Sequence, residues 1–557
     1  MRRLVECVPN FSEGRDAGII EAIAVAIRSV DQVKLLNIDP GRDTNRTVFT
    51  FVGPPEAAAE AAFRACTKSS ELIDMSKHKG AHPRLGAMDV CPFIPITGVS
   101  DQECIELAHQ VAQRISRELS IPVYLYSKAA QSPEREKLPD IRQGEYESLP
   151  QKLLDPHFLP DYGEPIFNAK SGATVVGVRD FMLAYNVNLN TRDRGQAQEI
   201  ALRLRESGRA KRDKKGNIIY DDQGNSIKVP GKLKQVQAAG WYIDQYGYAQ
   251  VSMNLHNLQE TGLHTAFEAV CVEAASMGLR VTGSEIVGMT PLQALADAGL
   301  FYLRRQGKHT GQSEAEIIHT AIISLGLNDS APFDPRERII EYAIREKQFS
   351  YMEITTSQLI ESLAKDSPTP GGGSVAALSG ALSAALSAMV AGVTFANKEY
   401  KRRKRLMEAL AIKAQQLIPH FSELVDEDSR SFDAYMSAVR LPKKTEEEIK
   451  SRQIALQNAA RKMTETPLET LRQSLPLIDL AEQLVRRGNI NALSDAGVAA
   501  LQAAAAAKGA YYNIRINLPQ INDELLRLQV SEEAESLMAE IDKRSRRIAR
   551  LMKRKIG

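Results

Sequence analysis

Two histidines four residues apart, His78 and His82, stand in the segment HKGAHPRLGAMDVCPF. That spacing suits a zinc pair only on a regular helix, and Gly80 and Pro83 break the helix. His82 precedes a proline in a Gly-bounded loop directly ahead of a strand. An imidazole titrates near neutral pH, so this position suits acid–base work, and from the loop alone an ordinary surface histidine fits equally well. A second polar group, Asp39, Arg42, Asp43, Asn45 and Arg46, falls between two adjacent expected strands and could face the His82 loop. Asp39 could orient a ring nitrogen or hold a cationic group, and Arg42 or Arg46 could pair a carboxylate. A solvated DPG turn accounts for the same residues. A third segment, SGATVVGVRD, offers Gly172 and Gly177 for close backbone approach. It is neither a dinucleotide fingerprint nor a phosphate-binding loop.

The second half carries its own chemistry. Gly371, Gly372 and Gly373 enter a helix at Ser374, an N-cap type, and a Gly-rich loop at a helix N-terminus can take an anion or a polarised carbonyl. Farther on, Leu417, Phe421, Leu424, Phe432, Tyr435 and Val439 make an apolar stripe, and the stripe runs through Asp428. Asp426 falls about 200° round the helix from that stripe position, on a more polar side. A carboxyl on a buried face has its pKa raised by desolvation, as a general acid needs, although a structural ion pair would explain it as well. Asn513 and Asn517 share a face amid apolar residues, where buried amides either bind a ligand or cross-link helices, the structural role being favoured. The run KEYKRRKR, 398–405, is a dense positive patch, usually a solvated face.

These residues need elements to hold them. Strand patterns at 4–8, 33–38, 47–52, 90–96 and 121–126, with helical patterns at 16–29, 54–68 and 101–119, give the order β-α-β-β-α-β with additions. The order recurs with strands 173–178, 182–189, 234–241, 250–255 and 280–287 and helices 194–206, 263–277 and 291–304. Residues 131–162 read as a long surface connection, and 207–231 as a charged projecting hairpin. Beyond 352 helical periodicity dominates, with Pro442, Pro467 and Pro476 marking turns or helix starts. The expected fold class is α+β followed by all-α: two ferredoxin-like (split βαβ) subdomains at 1–180 and 181–330, a linker at 331–349, and a helical bundle at 350–557.

The 557 residues carry 71 Lys+Arg against 69 Asp+Glu, a net charge of +2, so no global field draws the chain to nucleic acid or a membrane. Residues 375–396 lack charge and are long enough to span a bilayer, but Ala, Ser and Gly dominate them, and a buried bundle helix is the expectation. Five cysteines without a CxxC pair, and an N-terminus that reaches Glu6 and Pro9 before any apolar run, point to a reducing, cytoplasmic setting.

ECVPNFSEGRD, NIDPGRDTNRTVFTFVG, HKGAHPRLGAMDVCPF, SGATVVGVRDFMLAYNVNL and AQVSMNL closely resemble the formiminotransferase domain of the formiminotransferase-cyclodeaminases, over residues 1 to about 330. SPTPGGGSVAALSGALSAALSAMV, DEDSRSFDAYMSAVRLPK and INLPQIND resemble the cyclodeaminase domain of the same family, from about 350 onward. The resemblance implies a folate groove between two α/β subdomains, a catalytic histidine at His82 and a folate-binding stretch at 163–172 that includes Gly163, Glu164, Phe167, Lys170 and Gly172. It implies a catalytic aspartate at Asp428, beside Gly371, Gly372 and Gly373 as a second folate contact. It implies transfer of a formimino group from N-formimino-L-glutamate to N5 of tetrahydrofolate, then cyclisation to 5,10-methenyltetrahydrofolate with loss of ammonia. Tetrahydrofolate is the co-substrate, no metal is expected, and the family forms ring-like homo-oligomers. The basic patch at 398–405 would then suit a folate polyglutamate tail rather than nucleic acid. An alternative fuses the transferase to a methenyltetrahydrofolate cyclohydrolase-like domain or to an oligomerisation scaffold.

Overall fold

A computed structural model describes residues 3–42, 44–80, 83–213, 215–243, 247–344 and 349–556. His82 and Asp43 lie outside the described residues. The chain forms two compact units, Met1–Leu295 with Leu325–Arg345, and Ala296–Ser324 with Glu346–Gly557.

Among the described residues the first unit contains two large sheets and a separate two-stranded one. The first is built from β1 (Leu4–Cys7), β2 (Asn10–Phe11), α1 (Ala17–Arg28), β3 (Lys34–Gly41), β4 (Arg46–Gly53), α2 (Pro55–Leu72), β5 (Met88–Thr97), α3 (Asp101–Leu119), β6 (Val123–Ser127) and β7 (Thr174–Val178). Its strand order is β1-β4-β2-β5-β7-β6, with β3 on the outer side of β4 and β1 also paired to β5. β6 and β7 run parallel and extend β5, as a strand–helix–strand crossover through α3 requires. Alternation along β1 sends Val5 and Cys7 into the core with Phe49, Phe51 and Phe93. Glu6 therefore points to the opposite face, and it too is buried, at 6% exposure. Local signals set the helix starts: Asp16 caps α1, and Ser100 with Glu103 forms a capping box on α3.

The stretch read as a surface connection folds instead. α4 (Leu138–Ile141) and α5 (Glu145–Lys152) bury Ile141, Tyr146, Leu149 and Leu153 in the first core. Both helices are too short to show a helical period among so many prolines and charges.

The second sheet comes from β8 (Leu183–Leu189), α6 (Arg194–Leu204), β9 (Arg209–Ala210), β10 (Lys228–Val229), β11 (Val236–Ile243), β12 (Tyr248–Leu255), α7 (Leu263–Ser276) and β13 (Val281–Val287). β11-β12-β8-β13 is its order, all antiparallel, while β9 and β10 pair, among the described residues, only with each other. In the first sheet the short β1 and β2 sit between β4 and β5 with β3 outside β4, and in the second β8 sits between β12 and β13 with β11 outside β12. The 207–231 segment is a hairpin in which Asp213 and Asp221 each accept backbone N–H groups across a tight turn.

Past β13 the described elements are helical: α8 (Leu292–Arg305), α9 (Glu314–Leu325), α10 (Pro335–Arg338), α11 (Ile340–Ala343), α12 (Thr356–Leu363), α13 (Gly372–Ala396), α14 (Lys404–Val439), α15 (Glu446–Arg487), α16 (Leu493–Asn517) and α17 (Glu524–Ile556). In the second unit α13 packs against α14 and α16; α14 packs on α15, and α16 on both α15 and α17. α13 is long and apolar enough to cross a membrane, yet its small-residue side is buried in the bundle: Ala377, Gly380, Ala381, Ala384 and Ala391. A Cβ on Gly380 would lie 2.2 Å from the Phe421 ring, so a missing side chain admits a large one. Val375, Leu382, Met389 and Val393 are the exposed large apolar residues of that helix.

Pro467 and Pro476 do not start helices; both lie inside α15. A proline interrupts the hydrogen bond to the carbonyl four residues earlier. For Pro467 that carbonyl belongs to Met463, and Asn517 of α16 donates its Nδ2 to it at 2.8 Å. Tertiary contact thus repairs the break, and Asn517 cross-links two helices. Asn513 bonds within its own helix, to Gly509 O at 2.9 Å.

Candidate functional sites

One site gathers at the end of the first sheet where β5 begins. The 75–87 loop is laced to the 163–172 stretch: Met75 N donates to Lys170 O, Ala87 N to Ser171 O and Ala173 N to Leu85 O. Gly86 and Gly172 form a backbone bridge, and a Cβ on Gly172 would lie 2.1 Å from Leu85 O. Gly172 also has φ +69, so glycine is required there twice over. Gly163, at φ +94, turns the chain at the other end of the stretch. Phe167 packs on Tyr146, centroids 5.5 Å apart, and Tyr146 donates to Ala169 O. Lys170 Nζ bonds Glu71 O at 2.8 Å, while Glu164 is exposed.

The β3–β4 turn closes on the same loop. Asn45 Nδ2 donates to Lys79 O and its Oδ1 accepts from Gly14 N, both at 3.0 Å. A Cβ on Gly80 would meet Thr44 O at 2.3 Å. Thr44 and Asn45 of the polar cluster are therefore neighbours of Lys79 and Gly80. Asp39 and Arg46 attract one another across the strand pair, while Arg42 uses its carbonyl, which accepts from Arg15 Nε at 3.0 Å.

His78 has a fixed structural role. Its Nε2 is 2.9 Å from Asn45 O, an acceptor, and Arg84 Nε, a donor, is 3.2 Å from its Nδ1. Only the neutral Nε2–H tautomer satisfies both. Burial depresses its pKa, and the Arg84 charge adds to this. Arg84 in turn holds Glu147 bidentately, at 2.7 and 2.9 Å, and Glu145 at 2.7 Å. Two further residues were not marked in the sequence. Asp89, 1% exposed, accepts from Leu85 N at 2.8 Å and pairs with Arg142. An acid inside the apolar strand MDVCPF was the signal for Asp89; Arg142 had none, since its segment read as surface.

In the helical unit, the Gly loop and the aspartate come together. The cap of α13 is Gly371, not Ser374. Ser374 sits one turn in, where its Oγ is 2.9 Å from Val425 O and 3.1 Å from Asp428 Oδ2, and its N–H also donates to Asp428. A Cβ on Gly373 would lie 2.1 Å from Asp428 Oδ1. Burial raises the Asp428 pKa above the usual carboxylate value, against the opposing Ser374 hydrogen bonds. Gly372 has open space, its nearest neighbour being Asn513 Nδ2 at 3.8 Å from a Cβ position.

Asp426 departs from the helical-wheel reading. It is only 8% exposed, because residues 350–351 fold over it: Ser350 Oγ donates at 2.6 Å and Tyr351 N at 2.8 Å. A wheel sees only its own helix.

The chain thus joins an α/β unit and a helical unit, each with its own candidate site. The chain matches the family models described as "Formiminotransferase domain, N-terminal subdomain" at 4–179, "Formiminotransferase domain" at 184–345 and "Formiminotransferase-cyclodeaminase" at 355–536. It is 43% identical over 546 residues to the formimidoyltransferase-cyclodeaminase of Mus musculus, covering 97% of each chain. The glutamate formimidoyltransferase of Streptococcus pyogenes is 40% identical over 304 residues, 55% of this chain and 94% of that one. The methenyltetrahydrofolate cyclohydrolase of Methylorubrum extorquens is 36% identical over 203 residues, 36% of this chain and 98% of that one. This chain belongs to the formiminotransferase-cyclodeaminase family.

Proposed function

We infer that this chain is a bifunctional folate enzyme of histidine degradation. It transfers the formimino group of N-formimino-L-glutamate to N5 of tetrahydrofolate and cyclises the product to 5,10-methenyltetrahydrofolate with release of ammonia. The observation that carries the reading is identity along 97% of a two-activity relative. Tetrahydrofolate is the co-substrate of both steps.

In the transfer, N5 attacks the amidine carbon, must lose a proton, and the departing glutamate nitrogen must gain one. A single imidazole can take the first proton and return the second. His82 is assigned that role on its segment, HPRLG, and on the folding of 75–87 against 163–172, the assigned folate stretch. Asp39, Arg42, Asn45 and Arg46 are assigned to the glutamyl donor. In the cyclisation, N10 closes on the formimino carbon and an amine leaves, which it does well only when protonated. Asp428 is assigned as the acid: burial favours its protonated form, and Gly371, Gly372 and Gly373 leave a backbone surface beside it for the folate.

Each sheet's strand order is that of a split βαβ unit, which supports two ferredoxin-like subdomains at 1–180 and 181–330, a linker to 349 and a helical domain from 350. The folate groove is assigned between the two subdomains. A cytoplasmic homo-oligomer without a metal, independent of membrane and nucleic acid, completes the reading. The basic run supports polyglutamate binding: Arg403 donates to Arg487 O and Lys555 to Val485 O, so charges distant in sequence join it.

The test mixes the purified protein with formiminoglutamate and tetrahydrofolate and follows methenyltetrahydrofolate absorbance and ammonia together. Both must appear. His82→Ala should abolish transfer and spare cyclisation of supplied 5-formimino-tetrahydrofolate; Asp428→Asn should do the reverse. The cyclohydrolase relative favours a second reading of the helical unit, in which methenyltetrahydrofolate is hydrolysed. Transfer without ammonia would select it.

A further inference from the structure

Three observations converge on Arg142, which closes α4 beside the transferase site. First, its side chain is only 12% exposed and pairs with Asp89, itself 1% exposed. Asp89 also holds Leu85 N, three residues beyond the assigned histidine. Second, Arg142 Nε is buried with no hydrogen-bond partner among the described residues. A buried N–H without an acceptor costs free energy that an acceptor from a ligand would recover. Third, Arg142 stands close enough to the half-buried Arg46 that their charges repel. Asp39 and Asp89 oppose this repulsion with charges of their own.

We propose that Arg142, acting with Arg46, binds a carboxylate of the formimino donor and sets its specificity for an acidic amino acid. This rests on the transferase reading above. The donor carries two carboxylates, and a guanidinium offers them donors in a fixed plane, one of which is idle here. Arg142 touches no reacting atom in this scheme: it recognises the part of the donor that leaves as glutamate.

The test uses the full-length enzyme and three donors: N-formimino-L-glutamate, the same molecule amidated at the α-carboxylate, and the same amidated at the γ-carboxylate. Arg142→Gln should raise KM for formiminoglutamate by about 10- to 100-fold, the range of a charged hydrogen bond, with kcat changed little. For one of the two amidated donors the variant and the wild type should have the same KM, because the interaction is already absent; that donor identifies the carboxylate bound. Arg142→Gln also removes the Arg142–Asp89 ion pair, so Arg142→Lys serves as the second variant: it keeps the charge and removes the planar fork. It should fold normally and still show a raised KM for formiminoglutamate. An equal loss for all three donors, or unchanged KM in both variants, would overturn the assignment while leaving the transferase reading intact. A wild-type enzyme that transfers from none of the donors would overturn both.

Discussion

Gly373→Ala tests the helical site at one atom. The added Cβ would lie 2.1 Å from Asp428 Oδ1 and 2.5 Å from its carboxyl carbon. Non-bonded heavy atoms settle at roughly 3.5 Å, so the carboxyl must retreat by more than about 1 Å. Gly373 lies within α13, where alanine is intrinsically the better helix former by about 1 kcal/mol. The backbone therefore gains from the change and the helix should hold, which leaves the carboxyl to move. Moving it weakens its bonds to Ser374 and misplaces the proton donor. A displacement of about 1 Å costs on the order of 10²-fold in rate. Ammonia release from 5-formimino-tetrahydrofolate should fall by about that factor while formimino transfer, measured separately, stays at the wild-type rate. Because the substitution acts through Asp428, adding it to Asp428→Asn should lower ammonia release no further. Wild-type ammonia release in the single variant, or multiplied losses in the double variant, would refute the reasoning.

Burial moves Glu6 from 4.5 to about 7, opposed by the Arg179 charge. Below pH 4.5 folded and unfolded chains are both protonated there; between pH 4.5 and about 7 only the folded chain keeps the proton, so stability falls as pH rises. Glu6→Gln should abolish that slope and stabilise the first unit at pH 8 by up to about 3 kcal/mol, read from thermal unfolding against pH. Asn517→Ala should cost about 1–3 kcal/mol, because it strips the Met463 carbonyl of its donor beside Pro467. An unchanged melting temperature would mean that carbonyl needs no partner. Arg84→Gln removes a neighbouring positive charge from His78, so that histidine should titrate at higher pH by NMR. No shift would mean that burial alone depresses it.

The sequence by itself determined the order of strands and helices, the change to all-helical structure, and both family assignments. Long periodic elements and multi-residue motifs carry that information locally. It also put Asp428 on an apolar stripe, of which Leu417, Phe421 and Leu424 are buried while Asp428, Phe432, Tyr435 and Val439 are half-buried. The tertiary structure decided what no single segment encodes. It set Asp428 against Gly373 and Ser374, residues more than fifty positions away, and so explained why a glycine stands there. It buried Asp426 under residues 350–351, reversing the wheel, because a helix face is polar or apolar only relative to what covers it. It drew α4 and α5 into the core and brought Arg142 to Asp89 and Arg46, a cluster assembled from three distant segments. A proline that ends a helix in isolation passed inside α15 because Asn517 supplied the missing donor. In each case the deciding term was a contact between groups far apart along the chain, and its strength depends on distance in space.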